Sequence, residues 1–187
     1  AVGDQGGAET ILHTVNGGTS WVPQSSGIVE HMNAIWCSSA SECWAVGNAG
    51  TIIYTSDSGN IWTPQTTNVL EDMLDIQFLN ANEGWVAGTA GTLLHTTDGG
   101  ITWSPQSSNT VNDIQSIFMV SNQEGWFCGN NGDIYYYGLT MPNSVSDNPE
   151  NNSNMISVFP NPADRKVTLK MMNNEILRKI NFYDILI

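Results

Sequence analysis

The sequence predicts an all-β protein made of β-propeller blades, and three observations carry that prediction. The first is a repeat. Thr14 to Trp21, Thr55 to Trp62 and Thr96 to Trp103 write nearly the same octet, so the closing tryptophans fall 41 residues apart twice over, and a fixed period of this length marks a repeat architecture. The second is texture: short apolar and β-branched runs alternate with Gly, Asn, Asp or Pro, which is the punctuation of antiparallel strands. The third is the count within the most complete unit. It holds Met73 to Leu79, Gly84 to Gly88, Thr92 to Thr96 and Ile101 to Pro105, and four strands per unit make one propeller blade.

Taken in order, the first unit is partial, with three strands between Ala1 and Pro23. The second runs from Met32 to Pro64 and the third from Met73 to Pro105. A fourth starts at Ile114, passes Gly125 to Gly129 and reaches Ile134 to Tyr137, where Gly138-Leu139-Thr140-Met141-Pro142 replaces the octet. Residues 1–137 are thus expected to form about three and a half blades. Closed propellers have about 4 to 8, so the chain is expected to be a strained four-blade ring, a fragment of a larger ring, or half of a homo-oligomer. The fragment is favoured, because Ala1-Val2-Gly3 aligns with Ala45-Val46-Gly47 inside a repeat.

Residues 138–154, rich in Asn, Ser and Pro, read as a polar linker. In 155–187 the texture changes to Ile156-Ser157-Val158-Phe159-Pro160-Asn161-Pro162-Ala163, then the alternating Lys166 to Met171, then Ile180 to Asp184. Each alternating run reads as a half-buried strand. Charge breaks at the same place: residues 1–163 hold 15 acids and no Lys or Arg, whereas 164–187 hold all five bases, within a net charge of −13. Two modules are expected.

The octet can be argued residue by residue. Asp57 and Asp98, with Asn16 in the first copy, supply a short acceptor for the amides of their own turn. Gly18, Gly59 and Gly100 supply a residue free to take positive φ. Trp21, Trp62 and Trp103 then open the next strand with a large ring whose N–H needs a partner when buried.

This pattern, S/T-x-D-x-G-x-x-W, resembles the Asp-box or BNR repeat of β-propellers such as sialidases and xyloglucanases. The longer unit Gly84-Trp85-Val86-Ala87-Gly88 through Trp103 resembles the photosystem II stability/assembly factor family. The resemblance implies a propeller whose boxes are structural and lie away from the active face. The tail resembles the C-terminal sorting domain of type IX secretion substrates through Phe159-Pro160-Asn161-Pro162-Ala163 and Ile180-Asn181-Phe182-Tyr183-Asp184. That resemblance implies a partial β-sandwich with a sorting signal at Pro160, Asn161, Pro162, Tyr183 and Asp184, read by an outer-membrane translocon of a Bacteroidota-type bacterium. The domain is expected to be incomplete.

Composition excludes several functions. Phosphate backbones are bound mainly by Lys and Arg, so no nucleic acid is expected on the blades. Sialidases grip a carboxylate with arginine forks, and residues 1–163 contain none. The resemblance to the assembly factors implies a basic patch toward a partner, and residues 1–163 lack the Lys and Arg to build one. No stretch has the apolar length of a membrane span.

Recurrence in every blade is read as scaffolding. His13, Tyr54, His95 and Tyr136 share a column and are expected to pack between blades. Glu42, Glu83 and Glu124 share another and are assigned to hairpin turns rather than paired acid chemistry. His31 has no second histidine at zinc spacing. Glu71, Asp72 and Asp75 are the one candidate for Ca²⁺, outside any EF-hand pattern. Cys37 and Cys43 replace Phe78 and Gly84 together and are paired as a disulfide, in keeping with export. Cys128, in place of Ala87, is expected to be a buried free thiol, and Trp36, in place of Gln77, an aromatic packed on the next blade or available for binding.

The function expected is an exported, non-enzymatic scaffold that binds or adheres to a protein or glycan at the cell surface, with no catalytic residues and no metal. The alternatives are a piece of a glycan-active propeller enzyme and an assembly-factor-like propeller.

Overall fold

The computed structural model describes residues 1–4, 9–138 and 168–171. Among the described residues fifteen strands form four sheets. The first holds β1 (Val2–Asp4), β2 (Glu9–His13) and β3 (Val22–Gln24). The second holds β4 (Met32–Cys37), β5 (Cys43–Gly47), β6 (Ile52–Thr55) and β7 (Thr63–Gln65). The third holds β8 (Met73–Phe78), β9 (Gly84–Gly88), β10 (Leu93–Thr96) and β11 (Ser104–Pro105). The fourth holds β12 (Ile114–Ser121), β13 (Glu124–Gly129), β14 (Asp133–Gly138) and β15 (Thr168–Met171). The chain is all-β, made of propeller blades laid down as antiparallel meanders.

Two details separate the fourth sheet from the others. Where β7 and β11 close their blades antiparallel, β15 runs parallel to β14, pairing Ile134 with Leu169 and Tyr136 with Met171. A strand from 155–187 thus takes the place of the absent octet strand. The segments 139–154 and 155–167, and the sorting residues Pro160, Asn161, Pro162, Tyr183 and Asp184, lie outside the described residues.

The strands read as continuous apolar runs because a blade is sandwiched between neighbours, so both faces are buried. All five residues of β9 are buried. One face of each sheet packs on the next sheet. Trp44, Val46 and Ile52 meet Met73, Ile76, Phe78, Val86 and Leu94. Trp85, Ala87 and Leu93 then meet Ile114, Ile117, Met119, Phe127 and Tyr135. Ile11 meets Met32, Ala45, Ile53 and Trp62 in the same way. Trp44 stacks on Phe78 at 4.0 Å between ring centroids, and burial of each such ring contributes about 2–3 kcal/mol. A bulge follows the first residue of β4, β8 and β12 alike, which adds twist to each innermost strand.

These cores join the first sheet to the second, the second to the third and the third to the fourth. The outward faces at the two ends of the row stay exposed: Trp21 on the first sheet is 46% exposed, and Phe118 and Val120 on the fourth are 62% and 49% exposed. Cys128 lies on that same outer face of the fourth sheet. It is free and exposed, not buried as the sequence suggests, because Ala87 in its column has a further sheet over it and Cys128 has none. Cys37 and Cys43 face each other across β4 and β5 and are disulfide-bonded.

Candidate binding face

Antiparallel strands give each blade two ends, and the repeated loops sort between them. At one end lie the octet elbows and the hairpins joining the first two strands of each blade, linked by Ser58 N–H to the Ser41 carbonyl at 3.1 Å and Gly99 N–H to the Asn82 carbonyl at 2.9 Å. At the other end lie the crossovers between blades and the turns after β5, β9 and β13. There Asn48 N–H donates to the His31 carbonyl at 2.9 Å, Thr89 N–H to Asp72 at 2.9 Å and Asn130 N–H to Asp113 at 3.2 Å.

At the elbow end the acidic residues are occupied by their own turns. The Asp98 carboxylate accepts from Thr102 N–H at 2.9 Å, Thr102 Oγ1 at 2.6 Å and Thr96 Oγ1 at 2.8 Å. These bonds, the Thr102 hydroxyl foremost, hold its pKa down at about 2. Asp57 is lowered likewise, first by Ile61 N–H and then by the Thr55 hydroxyl. Asn16 accepts from Ser20 N–H at 2.9 Å, so the neutral amide fills the carboxylate's place. Gly18, Gly59 and Gly100 take φ of 87°, 80° and 88°. The sequence reading missed the first residue of the octet: Thr14, Thr55 and Thr96 each accept the glycine N–H through Oγ1, at 2.9, 3.0 and 2.8 Å.

The closing tryptophans stand just before β7 and β11 rather than inside them, and Trp62 and Trp103 are buried. Trp103 Nε1 donates to Gln65 Oε1 at 3.2 Å, while Trp62 Nε1 has no partner among the described residues. A second contact shows what the missing octet does. Trp44 Nε1 donates to the Gly99 carbonyl in the next blade's elbow at 3.0 Å. Trp85, one blade on, is fully buried with Nε1 unpartnered among the described residues, because the fourth blade has no octet to receive it.

The aromatic column pairs with a tryptophan of its own sheet, and Tyr54 also packs against the core between the second and third sheets. His95 stacks on Trp85, while Tyr54 and Tyr136 lie tilted against Trp44 and Trp126, each a cross-strand pair within one sheet. Glu83 bonds His95 Nε2 and Glu42 accepts from the Tyr54 hydroxyl at 3.1 Å. Burial, with Glu42 adding to it, pushes the Tyr54 phenol up.

The proposed Ca²⁺ ligands do not converge. Asp72 Oδ1 accepts from Ala49 N–H at 2.9 Å, Asp75 Oδ2 from Ile117 N–H at 2.9 Å and the Ser116 hydroxyl at 2.7 Å, and Glu71 Oε2 from Leu70 N–H at 3.0 Å. Among the described residues no three His, Cys, Asp or Glu side chains are grouped to hold a metal ion. Asp113 repeats the Asp72 contact one blade on, taking Ala90 N–H at 3.0 Å, so this column pins each turn to the following crossover. Trp36 is 36% exposed. Gln77, in its column, instead reaches the next blade, with Nε2 donating to the Met119 carbonyl at 3.0 Å and Oε1 accepting from Met119 N–H.

The crossover end, like the elbow end with Val15, Ile61 and Ile101, exposes apolar side chains, here Val29, Leu70 and Val111. Its loops run through 26–31, 67–72 and 108–113, each with a left-handed residue at its second position: Gly27 at φ 73°, Asn68 at 59° and Asn109 at 52°. A depression of about 610 Å³ lies against the third loop, between Gln106, Val111 and Tyr135. No helix among the described residues is long and apolar enough to cross a membrane.

A family model described as Photosynthesis system II assembly factor YCF48 matches residues 60–136. No curated protein matches the chain. Among solved structures the chain is similar to YCF48 bound to D1 peptide, at 24% identity and TM-score 0.55, over 72% of this chain and 40% of that one. It is similar to YCF48 from Cyanidioschyzon merolae at 20% identity and TM-score 0.56, over 66% of this chain and 42% of that one. It is also similar to an ancestral GH74 enzyme at 15% identity and TM-score 0.57, over 73% of this chain and 22% of that one. These likenesses establish the propeller fold. The chain spans well under half the length of each.

Proposed function

We propose that this chain is a non-enzymatic propeller scaffold that binds a polypeptide at its crossover end and is exported to the cell surface by a type IX sorting tail. The observation that carries the binding reading is the occupancy of its aspartates. Asp57, Asp72, Asp75, Asp98 and Asp113 each accept from backbone amides or neighbouring hydroxyls, so these five hold turns and seams and are not grouped with one another. A polypeptide partner is favoured over a glycan by the match of residues 60–136 to an assembly-factor family and by a similar fold that holds a D1 peptide. Export is supported by the Cys37–Cys43 disulfide, which fits an oxidising compartment, and by the Pro160-Asn161-Pro162 and Tyr183-Asp184 motifs.

The test is to express the full chain in a type IX-competent Bacteroidota host and in a translocon mutant. Surface exposure in the first and periplasmic retention in the second is the expected result; equal retention in both rejects the sorting reading. The second reading is a glycan-active propeller, favoured by the likeness to an ancestral GH74 enzyme. Sugar release by the purified chain from xyloglucan or a sialoside panel would establish it and displace the scaffold.

A further inference from the structure

A residue that recurs in every blade ordinarily holds the blade, and such residues here are buried or bonded. One aliphatic column breaks that rule. Val29, Leu70 and Val111 occupy the same place in the three crossovers and are 83%, 84% and 85% exposed. Their neighbour column has drifted from Ile28 to Val69 to Thr110, yet this one stays aliphatic in water. Scattered exposed aliphatics need no explanation. A repeated one, carried on a repeated loop, does.

The loops that carry the three are built alike and stiffly. Ser26 Oγ accepts from Ile28 N–H at 2.9 Å and Thr67 Oγ1 from Val69 N–H at 3.4 Å. Thr67 Oγ1 donates to the Gly50 carbonyl at 2.9 Å, and Ser108 Oγ to the Gly91 carbonyl at 2.6 Å. Gly50 N–H in turn donates to the Glu71 carbonyl at 2.9 Å. A row held this firmly costs little ordering when a partner arrives.

We propose that Val29, Leu70 and Val111 form a docking row for an extended polypeptide that carries aliphatic side chains interleaved with Lys or Arg. This rests on the scaffold reading and names the partner class for its crossover face. Charge selects the basic partner: Glu30 and Glu71 directly follow the first two row residues, and residues 1–163 contain no Lys or Arg. Charge also disfavours nucleic acid and anionic lipid surfaces. The exposed aromatics Trp21, Trp36 and Phe118 all lie outside the crossovers, so the row lacks the flat rings on which sugars stack. An extended segment presents alternate side chains to one face, and the depression beside Val111 gives one of them a seat.

The test uses the full chain and three fluorescein-labelled peptides of about 12 residues, long enough to run along extended loops. One alternates lysine with leucine and valine, one replaces lysine by glutamate, and one replaces the aliphatics by serine. The lysine–aliphatic peptide is expected to bind at least about tenfold more tightly than either control. Its affinity is expected to fall at least about tenfold in the Val29→Ser, Leu70→Ser, Val111→Ser variant, whose thermal melt stays unchanged because the replaced side chains are exposed. Equal binding by the variant, or by the glutamate peptide, overturns the row. If the variant keeps its affinity, the scaffold reading survives and the row alone fails. A dimer of the parent chain that the variant disperses would assign the row to a second copy and overturn the proposal in that way.

Discussion

Thr96 and Asp98 divide the amides of their elbow between them, Oγ1 of one taking Gly100 N–H and the carboxylate of the other taking Thr102 N–H. A carboxylate held at about 2 against its ordinary 3.8 stabilises the fold fully above that ordinary value. The stabilisation is lost as pH falls from 3.8 towards 2, because the unfolded chain takes the proton first. Asn16 does the same work without a charge. Asp98→Ala is therefore expected to lower the melting temperature at pH 6, and Asp98→Asn to lower it less. The drop in melting temperature between pH 4.5 and pH 2.5 should be smaller in Asp98→Asn than in the parent. An identical drop in both, by circular dichroism melts, would show that the elbow charge does nothing for stability. Gly91 tests the other end of the blade. It sits at φ 73°, and a Cβ there would lie 2.0 Å from the Thr110 carbonyl oxygen, a backbone atom that cannot step aside. Gly91→Ala is expected to cost more than about 1 kcal/mol in urea unfolding, by pushing the crossover off its turn.

Between blades, polar side chains reach across the seam beside the apolar cores, and these set what the sequence discloses. Gln77 satisfies both the N–H and the carbonyl of Met119 in the neighbouring inner strand. Truncation to Ala leaves two buried backbone groups unpaired, at about 1–3 kcal/mol each. Gln77→Ala should thus destabilise the chain by at least about 2 kcal/mol and speed hydrogen exchange in β12 ahead of β5. Uniform exchange would mean that the seam is held by the apolar core alone. The strands, their order and the elbow are legible in the sequence because large or obligatory residues carry the 41-residue period, the elbow in the three copies that have the octet. The seam contacts are not, because their columns read Ala34, Asp75, Ser116 and Trp36, Gln77, Phe118 and so show no recurrence. The exposed row of Val29, Leu70 and Val111 is visible as a column, but nothing local says which apolar column faces water. The parallel pairing of β15 with β14 is equally silent, since strands so far apart in sequence share no turn chemistry.

At the scale of the molecule the row of sheets has two unlike ends. The fourth sheet turns Phe118, Val120 and Cys128 outward, on the face that in the second and third sheets is covered by the following blade. An exposed β face of this kind is a template for another sheet, and the exposed Trp21 on the first sheet is the matching surface from the opposite end. Two terms compete over whether copies associate. Burial of the end faces favours association at about 25 cal/mol per Å² of apolar surface, and a net charge of −13 opposes it over a Debye length of about 30 Å at 0.01 M salt and about 8 Å at 0.15 M. Association is therefore expected to rise with salt, which is the opposite of what a charge-paired interface would do. Phe118→Ser should abolish that rise and leave the melt of the monomer intact, because the ring is already 62% exposed. Sedimentation velocity at low and physiological salt decides the matter: a sedimentation coefficient indifferent to salt and to Phe118→Ser would mean that the end face stays bare in solution.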